Sequence, residues 1–277
     1  MLFDSGAVEC LCSLKIRQNQ IVSYDGDGAI VRQERTSYGY GADGIRVSAL
    51  HEIDADGDGE FETKKLTEYL NDSRSLTGYS QVLRQTDYDE NGEVQQTITN
   101  IIGHQRISQI TVKNGEVQEL YFTFDGHGST RVLTDFIAAV VQLFAFDAYG
   151  NALGFDPKEA LTEFLYSGEQ FDAKIGQQYL RARYYDPATG RFNRLDPFFG
   201  NMSDPQSFHK YLYAHADPVN MNDPTGLFGG MVGMSISAGI SVYHANDVRR
   251  RSCGNCSRNW YWCYKFYLWL CNGTNGL

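Results

Sequence analysis

An acidic segment around residues 53–62 carries the side chains best suited to metal chemistry. Three aspartates on alternate residues precede a glycine: Asp54, Asp56, Asp58 and Gly59. Carboxylates in this order around a tight turn match the first half of a calcium loop. An EF-hand needs a bidentate glutamate at its twelfth position, where this chain has Lys65, so Glu60 or Glu62 would have to complete the site. The segment predicts either a loose Asp-rich calcium loop or a metal-free acidic hairpin turn.

A second group of potential ligands lies near the C-terminus. Four thiolates there could hold one zinc ion, although their spacing differs from familiar zinc-finger patterns. Two disulfides in an oxidising compartment, or unpaired thiols in the remnant of a cargo domain, fit equally well. No cysteine lies between Cys12 and this group, so the body of the chain is not a disulfide scaffold. The four residues are Cys253, Cys256, Cys263 and Cys271.

The remaining motifs and the charge weigh against a conventional enzyme and against nucleic-acid binding. The sequence has no Gly-x-Ser-x-Gly elbow, no phosphate loop and no dinucleotide fingerprint. The net charge is −10, and residues 228–277 hold five basic residues against one acidic residue. The acidity therefore lies in residues 1–227, which would repel a phosphate backbone.

Short strands joined by glycine turns must position these groups. Tyr (18), Phe (16) and Gly (28) are abundant, which favours strands and tight turns. Asp and Asn bond to their own backbone and Gly adopts positive φ, so Asp- and Gly-rich segments between apolar runs predict hairpins. The sequence "NGEVQ" occurs at residues 91–95 and again at 114–118, so a hairpin-sized unit repeats. We expect a mainly β fold with a curved antiparallel sheet whose edges are closed or capped. The predicted turns are Tyr24–Gly28, Gly41–Gly44, Tyr88–Gly92, Phe124–Gly128 and Phe146–Gly150.

The segment Tyr179–Pro197 concentrates tyrosine and arginine. In a continuous strand through this segment, alternate residues would face opposite sides, with Arg181 and Arg183 on one face and Tyr184 on the other. Asp186–Gly190 would then turn the chain back. An arginine stacked on a tyrosine stabilises a fold by about 0.5–2 kcal/mol. The segment therefore predicts a packed structural layer in preference to a catalytic one.

Several longer motifs carry a family resemblance. The Tyr/Phe-Asp-x-x-Gly units, followed by "LYSGEQFDAKIGQQYLRARYYDPATGRFNRLDP" and "HKYLYAHADPVNMNDPTGL", strongly resemble the RHS (YD-repeat) family and its repeat-associated core domain. The resemblance implies degenerate YD-repeat hairpins over residues 1–118, an RHS core domain over 119–227 and a variable, irregular or helical tail over 228–277. In this family the repeats spiral into a hollow β-shell, here a partial one. The core domain plugs the shell, which commonly encloses a variable C-terminal polypeptide, often a toxin. The core signature comprises Tyr179, Arg181, Arg183, Tyr184, Tyr185, Asp186, Pro187, Gly190, Arg191 and Phe192.

The resemblance also implies a candidate activity. In this family the plug can be an aspartic autoprotease that cuts after a "DPxGL" motif, one carboxylate acting as base on water and another as acid. By position, Asp196 matches the first catalytic aspartate, and Asp204 is the candidate for the second. Cleaving members usually carry arginine before the first aspartate, where this chain has Leu195, so a purely structural plug is the alternative. The motif consists of Asp223, Pro224, Thr225, Gly226 and Leu227.

The tail and the resemblance together predict the setting in which the protein acts. Residues 224–243 carry no charge and precede Arg249–Arg251, so they could contact a membrane or form a Gly-rich leader inside the shell. No signal peptide is recognisable, and we expect the chain to belong to a larger secreted or cell-surface protein. Its expected partners are upstream RHS repeats, in the same or a neighbouring chain, and its own tail as cargo. The main hypothesis is an encapsulating segment of a polymorphic-toxin system that requires no cofactor. Surface adhesion through sugar or calcium is a weaker alternative.

Overall fold

The computed structural model describes residues 18–227 and the backbone of residues 230–231. The predictions on the four C-terminal cysteines and on most of the uncharged stretch lie outside the described residues. Within them, ten strands form one open antiparallel sheet in which each strand pairs with the next in sequence. The mainly β, antiparallel prediction is therefore confirmed. The strands are β1 (Gln18–Tyr24), β2 (Ile30–Tyr40), β3 (Arg46–Asp54), β4 (Thr63–Asp72), β5 (Gln81–Tyr88), β6 (Val94–Ile102), β7 (Arg106–Lys113), β8 (Glu116–Phe124), β9 (Thr130–Thr134) and β10 (Val140–Leu143).

One hydrogen-bonding pattern recurs in the connecting turns. An aspartate Oδ1 accepts from the backbone amides two and four residues further on, as Asp25 does from Asp27 and Ala29. The same pair of bonds occurs at the aspartates of the later turns, at positions 89, 125, 135 and 147. The residue three positions after the aspartate has a positive φ, 83° at Gly28 and 62° at Ala138, and is glycine in every such turn except the one containing Ala138. The hairpin turns predicted from Asp and Gly are confirmed.

The chain after β10, residues 144–227, folds onto this sheet, and we call it the aromatic core. It contains a small four-stranded antiparallel sheet, and its last strand, Met221–Asn222, pairs with Gly230–Met231, which follows the aromatic core in sequence. Short 3-10 turns occupy Pro157–Glu159, Tyr166–Gly168, Pro205–Phe208 and Ala214–Ala216. The strands are β11 (Gln170–Asp172), β12 (Gln177–Leu180), β13 (Arg183–Asp186), β14 (Arg191–Phe192), β15 (Met221–Asn222) and β16 (Gly230–Met231).

Apolar contacts join the sheet to the aromatic core. Phe164 of the aromatic core packs in one buried cluster with side chains of β2 to β5, among them Tyr38 and Tyr69. Phe144 and Leu165 pack in a second cluster with the sheet residue Leu133. Burial of this kind stabilises by about 25 cal/mol per Å² of apolar surface, so the aromatic core covers apolar surface of the sheet.

The prediction of one strand through the arginine–tyrosine segment is wrong. The chain reverses between β12 and β13, so Tyr179 pairs directly with Tyr184 and Leu180 pairs with Arg183. Arg181 occupies the turn with a φ of 61°, a conformation that favours glycine. The predicted turn at Asp186–Gly190 is present, and it leads into β14.

Two further predictions concern the chain as a whole. The predicted domain boundary between residues 118 and 119 falls inside β8, a strand of the large sheet. In the described part of the chain, no helix is long and apolar enough to cross a membrane.

Candidate functional site

A buried guanidinium fastens the aromatic core to the sheet. Arg46 begins β3, and its Nη1 donates to Asp172 Oδ2 at 2.7 Å and to the Tyr184 hydroxyl at 2.9 Å. Its Nη2 donates to Gln170 Oε1 at 2.9 Å. The Arg46 and Asp172 side chains are 1% and 7% exposed. Because these acceptors come from β11 and β13, the pair joins two units of the fold that lie more than a hundred residues apart in sequence.

Tyrosines complete this arrangement, which we call the docking cluster. The Arg46 guanidinium lies 4.5 Å from the ring centroids of both Tyr69 and Tyr179, one from each unit. The Tyr38 hydroxyl donates to Asp172 Oδ2 at 2.9 Å, and the Tyr179 hydroxyl accepts from the Arg46 amide at 2.8 Å. Burial raises the pKa of Tyr69 well above the usual tyrosine value. The phenols therefore remain neutral donors and ring partners.

A second arginine, Arg106 of β7, also holds the aromatic core against the sheet. The Arg106 guanidinium stacks on the Phe164 ring with 3.1 Å between its carbon and the ring centroid. Burial lowers the pKa of Arg106 to about 9. Nearby, Gln109 Nε2 donates to the Leu161 carbonyl at 3.0 Å, and Thr162 donates back to Gln109 Oε1 at 2.9 Å. The aromatic core is thus held by polar as well as apolar contacts.

The cleavage motif lies on the turn between β12 and β13. Arg181 Nη1 donates to the Pro224 carbonyl, and Arg183 Nε donates to the Gly226 carbonyl. Between them, the Ala182 amide donates to the Thr225 carbonyl at 3.2 Å. The Asp223 carboxylate Oδ1 accepts from Thr225 Oγ1 at 3.1 Å and from the Leu227 amide at 3.2 Å. The predicted motif is therefore a closed turn held by the core-signature arginines.

The two aspartates predicted as catalytic have different partners. Asp196 Oδ2 lies 2.8 Å from Arg183 Nη2, and Asp223 Oδ2 lies 3.7 Å from the same nitrogen. Asp204 Oδ2 instead lies 2.8 Å from His215 Nε2, and this hydrogen bond lowers the pKa of Asp204. Burial lowers the pKa of Arg183, and the two carboxylates oppose that effect. The structure thus places Asp196 and Asp223 beside the same arginine and Asp204 beside a histidine.

The rest of the core signature forms a packed aromatic layer. Tyr185 is fully buried and stacks on Tyr213 with ring centroids 4.0 Å apart. Gly190 has a φ of 66°, and a Cβ there would meet the Tyr149 ring at 3.0 Å. Asp186 accepts from the Ala188 amide across Pro187, while Arg191 is exposed and Phe192 is buried under Arg183.

The predicted calcium ligands do converge. Ligand oxygens of Asp54, Asp56, Asp58 and Glu62 lie within 4.8 Å of one another in the β3–β4 turn. Asp54 is buried and already accepts from the Gly57 and Gly59 amides. Four carboxylates suit a hard cation such as calcium, which takes oxygen ligands. Glu62, rather than Glu60, would complete the set.

Sequence reasoning missed the residues that anchor the aromatic core. Arg46, Asp172 and Gln170 carry no local motif, since their partners lie in distant strands. The weak signal was the high tyrosine content, because a buried guanidinium needs ring faces and acceptors around it.

Comparisons with known proteins identify relatives of much greater length. No family model matches the chain. The tRNA nuclease WapA of Bacillus subtilis strain 168 is 29% identical over 181 residues, which are 65% of this chain and 7% of that protein. Salivary gland surface protein 1 of Aedes aegypti is 35% identical over 123 residues, 43% of this chain and 3% of that protein. The chain therefore spans less than a tenth of these relatives.

Solved structures agree with the fold. The crystal structure of TcdB2-TccC3 matches with a TM-score of 0.54 and 19% identity, covering 75% of this chain and 10% of that one. The Photorhabdus luminescens Tc holotoxin pore matches with a TM-score of 0.54 and 18% identity, covering 77% and 10%. Together with the WapA similarity, they support an RHS-type relationship. The two structural matches show that the fold of this chain is similar to part of those chains.

Proposed function

We propose that this chain is the closing end of an RHS-type β-shell, in which the aromatic core seals the hairpin sheet and holds the start of a variable tail. The observation that carries the proposal is the docking cluster, because it fixes the aromatic core on the sheet through a buried Arg46–Asp172 pair. A loosely attached domain would not bury a charge in this way, since an unpaired buried charge costs several kcal/mol. Among the described residues no strand pairs with the outer edge of β1, and preceding repeats would continue the sheet there.

The relatives support a toxin setting for the proposal. WapA is named as a tRNA nuclease, and one matching structure is described as TcdB2-TccC3 without its hypervariable C-terminal region. By analogy, residues 228–277 are the variable part, and the whole protein is secreted or displayed at the cell surface. Any toxic activity would belong to the tail and not to residues 18–227. Sugar-dependent adhesion has no specific observation in its favour.

Limited proteolysis of the full chain tests the sealing role. We expect the aromatic core and the sheet to resist thermolysin together and to become sensitive in one step, because they share one set of buried contacts. Arg46→Met should release the aromatic core at lower protease concentration, whereas the exposed Arg32→Met control should not. Digestion of residues 144–227 from an intact sheet in the unchanged chain would contradict the proposal.

Self-cleavage is a second candidate function, favoured by the convergence of Asp196 and Asp223 on Arg183 beside the cleavage motif. Hydrolysis would break the amide between Leu227 and Phe228, adding hydroxide to the carbonyl carbon and a proton to the nitrogen. One carboxylate would take the proton from water, and another would supply one to the leaving nitrogen. Asp204 would serve only if it left His215.

Intact-mass measurement of the purified full chain separates these two functions. A break after Leu227 that disappears in Asp196→Asn supports self-cleavage. The matched control is Asp217→Asn, which changes another aspartate that precedes proline. A single full-length mass would contradict self-cleavage and leave the structural role as the remaining candidate function.

A further inference from the structure

The turn between β12 and β13 forms hydrogen bonds with the backbone of residues 224–226. The Arg181 and Arg183 side chains donate to the carbonyls of residues 224 and 226. Between them, the Ala182 amide donates to the Leu180 carbonyl at 2.7 Å and also to the Thr225 carbonyl at 3.2 Å. Bonds to backbone carbonyls ignore side-chain identity, so these donors fit any chain that adopts the same turn as residues 223–227. Main-chain hydrogen bonds supply affinity in several modes of peptide binding.

Arg181 is positioned by partners other than that segment. Its Nε donates to the Ser80 carbonyl at 2.7 Å, and its Nη1 also reaches Glu169 Oε2 at 2.8 Å. The guanidinium stacks on Tyr79 with 4.2 Å to the ring centroid. Two of these three contacts come from the connection between β4 and β5, so the large sheet holds Arg181 in place.

Arg183 is held independently as well. Its Nη2 pairs with Asp196 at 2.8 Å, and its Nη1 donates to the Lys210 carbonyl at 3.3 Å. The Phe192 ring lies 3.7 Å below the guanidinium. Because these partners lie outside residues 224–226, both arginines would keep them without that segment and stay oriented for a peptide. Such preorganisation lowers the entropic cost of binding.

The contact with the β12–β13 turn requires glycine at position 226 of the bound segment. Gly226 has a φ of 69°, which favours residues without a Cβ. A Cβ at this position would clash with the Leu180 carbonyl oxygen and lie 3.0 Å from the Arg183 amide nitrogen. Both obstacles are backbone atoms of the turn and cannot rotate away. A peptide with any other residue at this position would be excluded.

We propose that the β12–β13 turn is a glycine-selective peptide-binding slot for Asp-Pro-x-Gly segments that form a turn. In this chain residues 223–227 occupy it from the same molecule, and a segment with the same sequence from another chain can take their place. The aspartate is recognised through Arg183, whose Nη2 lies 3.7 Å from Asp223 Oδ2. The slot serves as an exchangeable anchor for the start of the tail, and it does so whether or not the chain is cut.

The experiment empties the slot within the full chain. Gly226→Ala should expel the internal segment through its backbone clash and leave the donors free. The probe is acetyl-Asn-Asp-Pro-Thr-Gly-Leu-amide carrying a fluorophore, and binding is measured by anisotropy. We expect saturable binding to Gly226→Ala and binding at least about tenfold weaker to the unchanged chain, where the internal segment competes at high effective concentration.

Two controls define the specificity. A probe with alanine in place of glycine should bind at least about tenfold more weakly, since the clash that empties the slot also excludes the probe. In the Gly226→Ala chain, Arg181→Gln should weaken binding by about tenfold or more because it removes a charged donor. Arg191→Gln, which changes an exposed arginine of the same small sheet, should leave binding unchanged.

The outcomes divide cleanly. No binding to a folded Gly226→Ala chain overturns the proposal, because the arginines would then only pack against their own segment. Equal binding of the glycine and alanine probes overturns the selectivity. If Gly226→Ala does not fold, hydrogen exchange of the unchanged chain at millimolar probe decides. Faster exchange of residues 223–227 with the glycine probe alone supports the slot, and no change excludes it.

Discussion

Replacing Arg46 by methionine measures how strongly the docking cluster holds the two units together. Methionine keeps a long apolar side chain between Tyr69 and Tyr179 and removes the guanidinium. The Asp172 carboxylate, 7% exposed, then keeps the Tyr38 hydroxyl and the Lys174 amide as donors. Removing one member of a buried ion pair costs about 3–5 kcal/mol. Because two donors remain, we expect a loss of about 3 kcal/mol in the free energy of unfolding, the lower end of that range.

Urea unfolding of the full chain, followed by circular dichroism, provides the measurement. The matched control is Arg32→Met, since Arg32 pairs with Glu34 on the same sheet but its side chain is 43% exposed. Surface pairs contribute about 0–1 kcal/mol, so this control should change stability little. Adding Asp172→Leu to Arg46→Met removes the stranded carboxylate. The double variant should therefore be more stable than the sum of the single losses predicts, by about 2 kcal/mol.

Two results would refute this account. If Arg46→Met costs no more than Arg32→Met, the guanidinium does not hold the aromatic core. If the Arg46 and Asp172 losses simply add, the two side chains do not act as a pair, whatever their separation of 2.7 Å.

Three further perturbations test other parts of the structure. Desolvation raises the pKa of Glu163 above its ordinary 4.5, so the folded state binds this proton more tightly than the unfolded state does. The folded state therefore loses stability as the pH rises from 4.5 through the folded pKa. Glu163→Gln should flatten this part of a pH–stability curve measured by urea unfolding. Gly150→Ala should destabilise more than Gly92→Ala in thermal unfolding, because both have positive φ but only a Cβ at 150 would meet a ring, that of Tyr166, at 2.6 Å. About 1 mM calcium should raise the thermal midpoint of the unchanged chain. Asp56→Asn should reduce that rise, and an equal rise in both proteins would exclude the β3–β4 turn as the site.

The hairpin sheet was predictable because its information is local. The Asp25 carboxylate bonds to amides two and four residues away, so the turn needs only a few neighbouring residues to form. The same logic applies where the pattern degenerates. The turn after Asp135 keeps its carboxylate bonds while Ala138 replaces glycine at a φ of 62°. The aspartate, more than the glycine, is the feature these turns share.

The aromatic core and its site were less predictable because their information is not local. Arg181 sits at a positive φ in a turn without glycine or asparagine, where a non-glycine residue costs about 1–2 kcal/mol. Its side chain offsets that cost by bonding to Ser80, Glu169 and Pro224, all distant in sequence. No propensity rule contains these partners, so alternation predicted a straight strand. The family resemblance, and not a local pattern, suggested Asp204 as the second aspartate beside Asp196, although Asp204 bonds to His215.

The aromatic core must also dock at one defined position on the hairpin sheet. Apolar contacts are not directional, so on their own they specify the docked position of the aromatic core only weakly. A shift would strand the Arg46 guanidinium, 1% exposed, away from Asp172 and the tyrosines that surround it. An uncompensated buried charge costs about 3–5 kcal/mol, more than one apolar side chain contributes. The polar docking cluster therefore selects one register, whereas the apolar clusters supply most of the attraction. For this reason Arg46→Met should broaden the range of docked positions as well as weaken the contact.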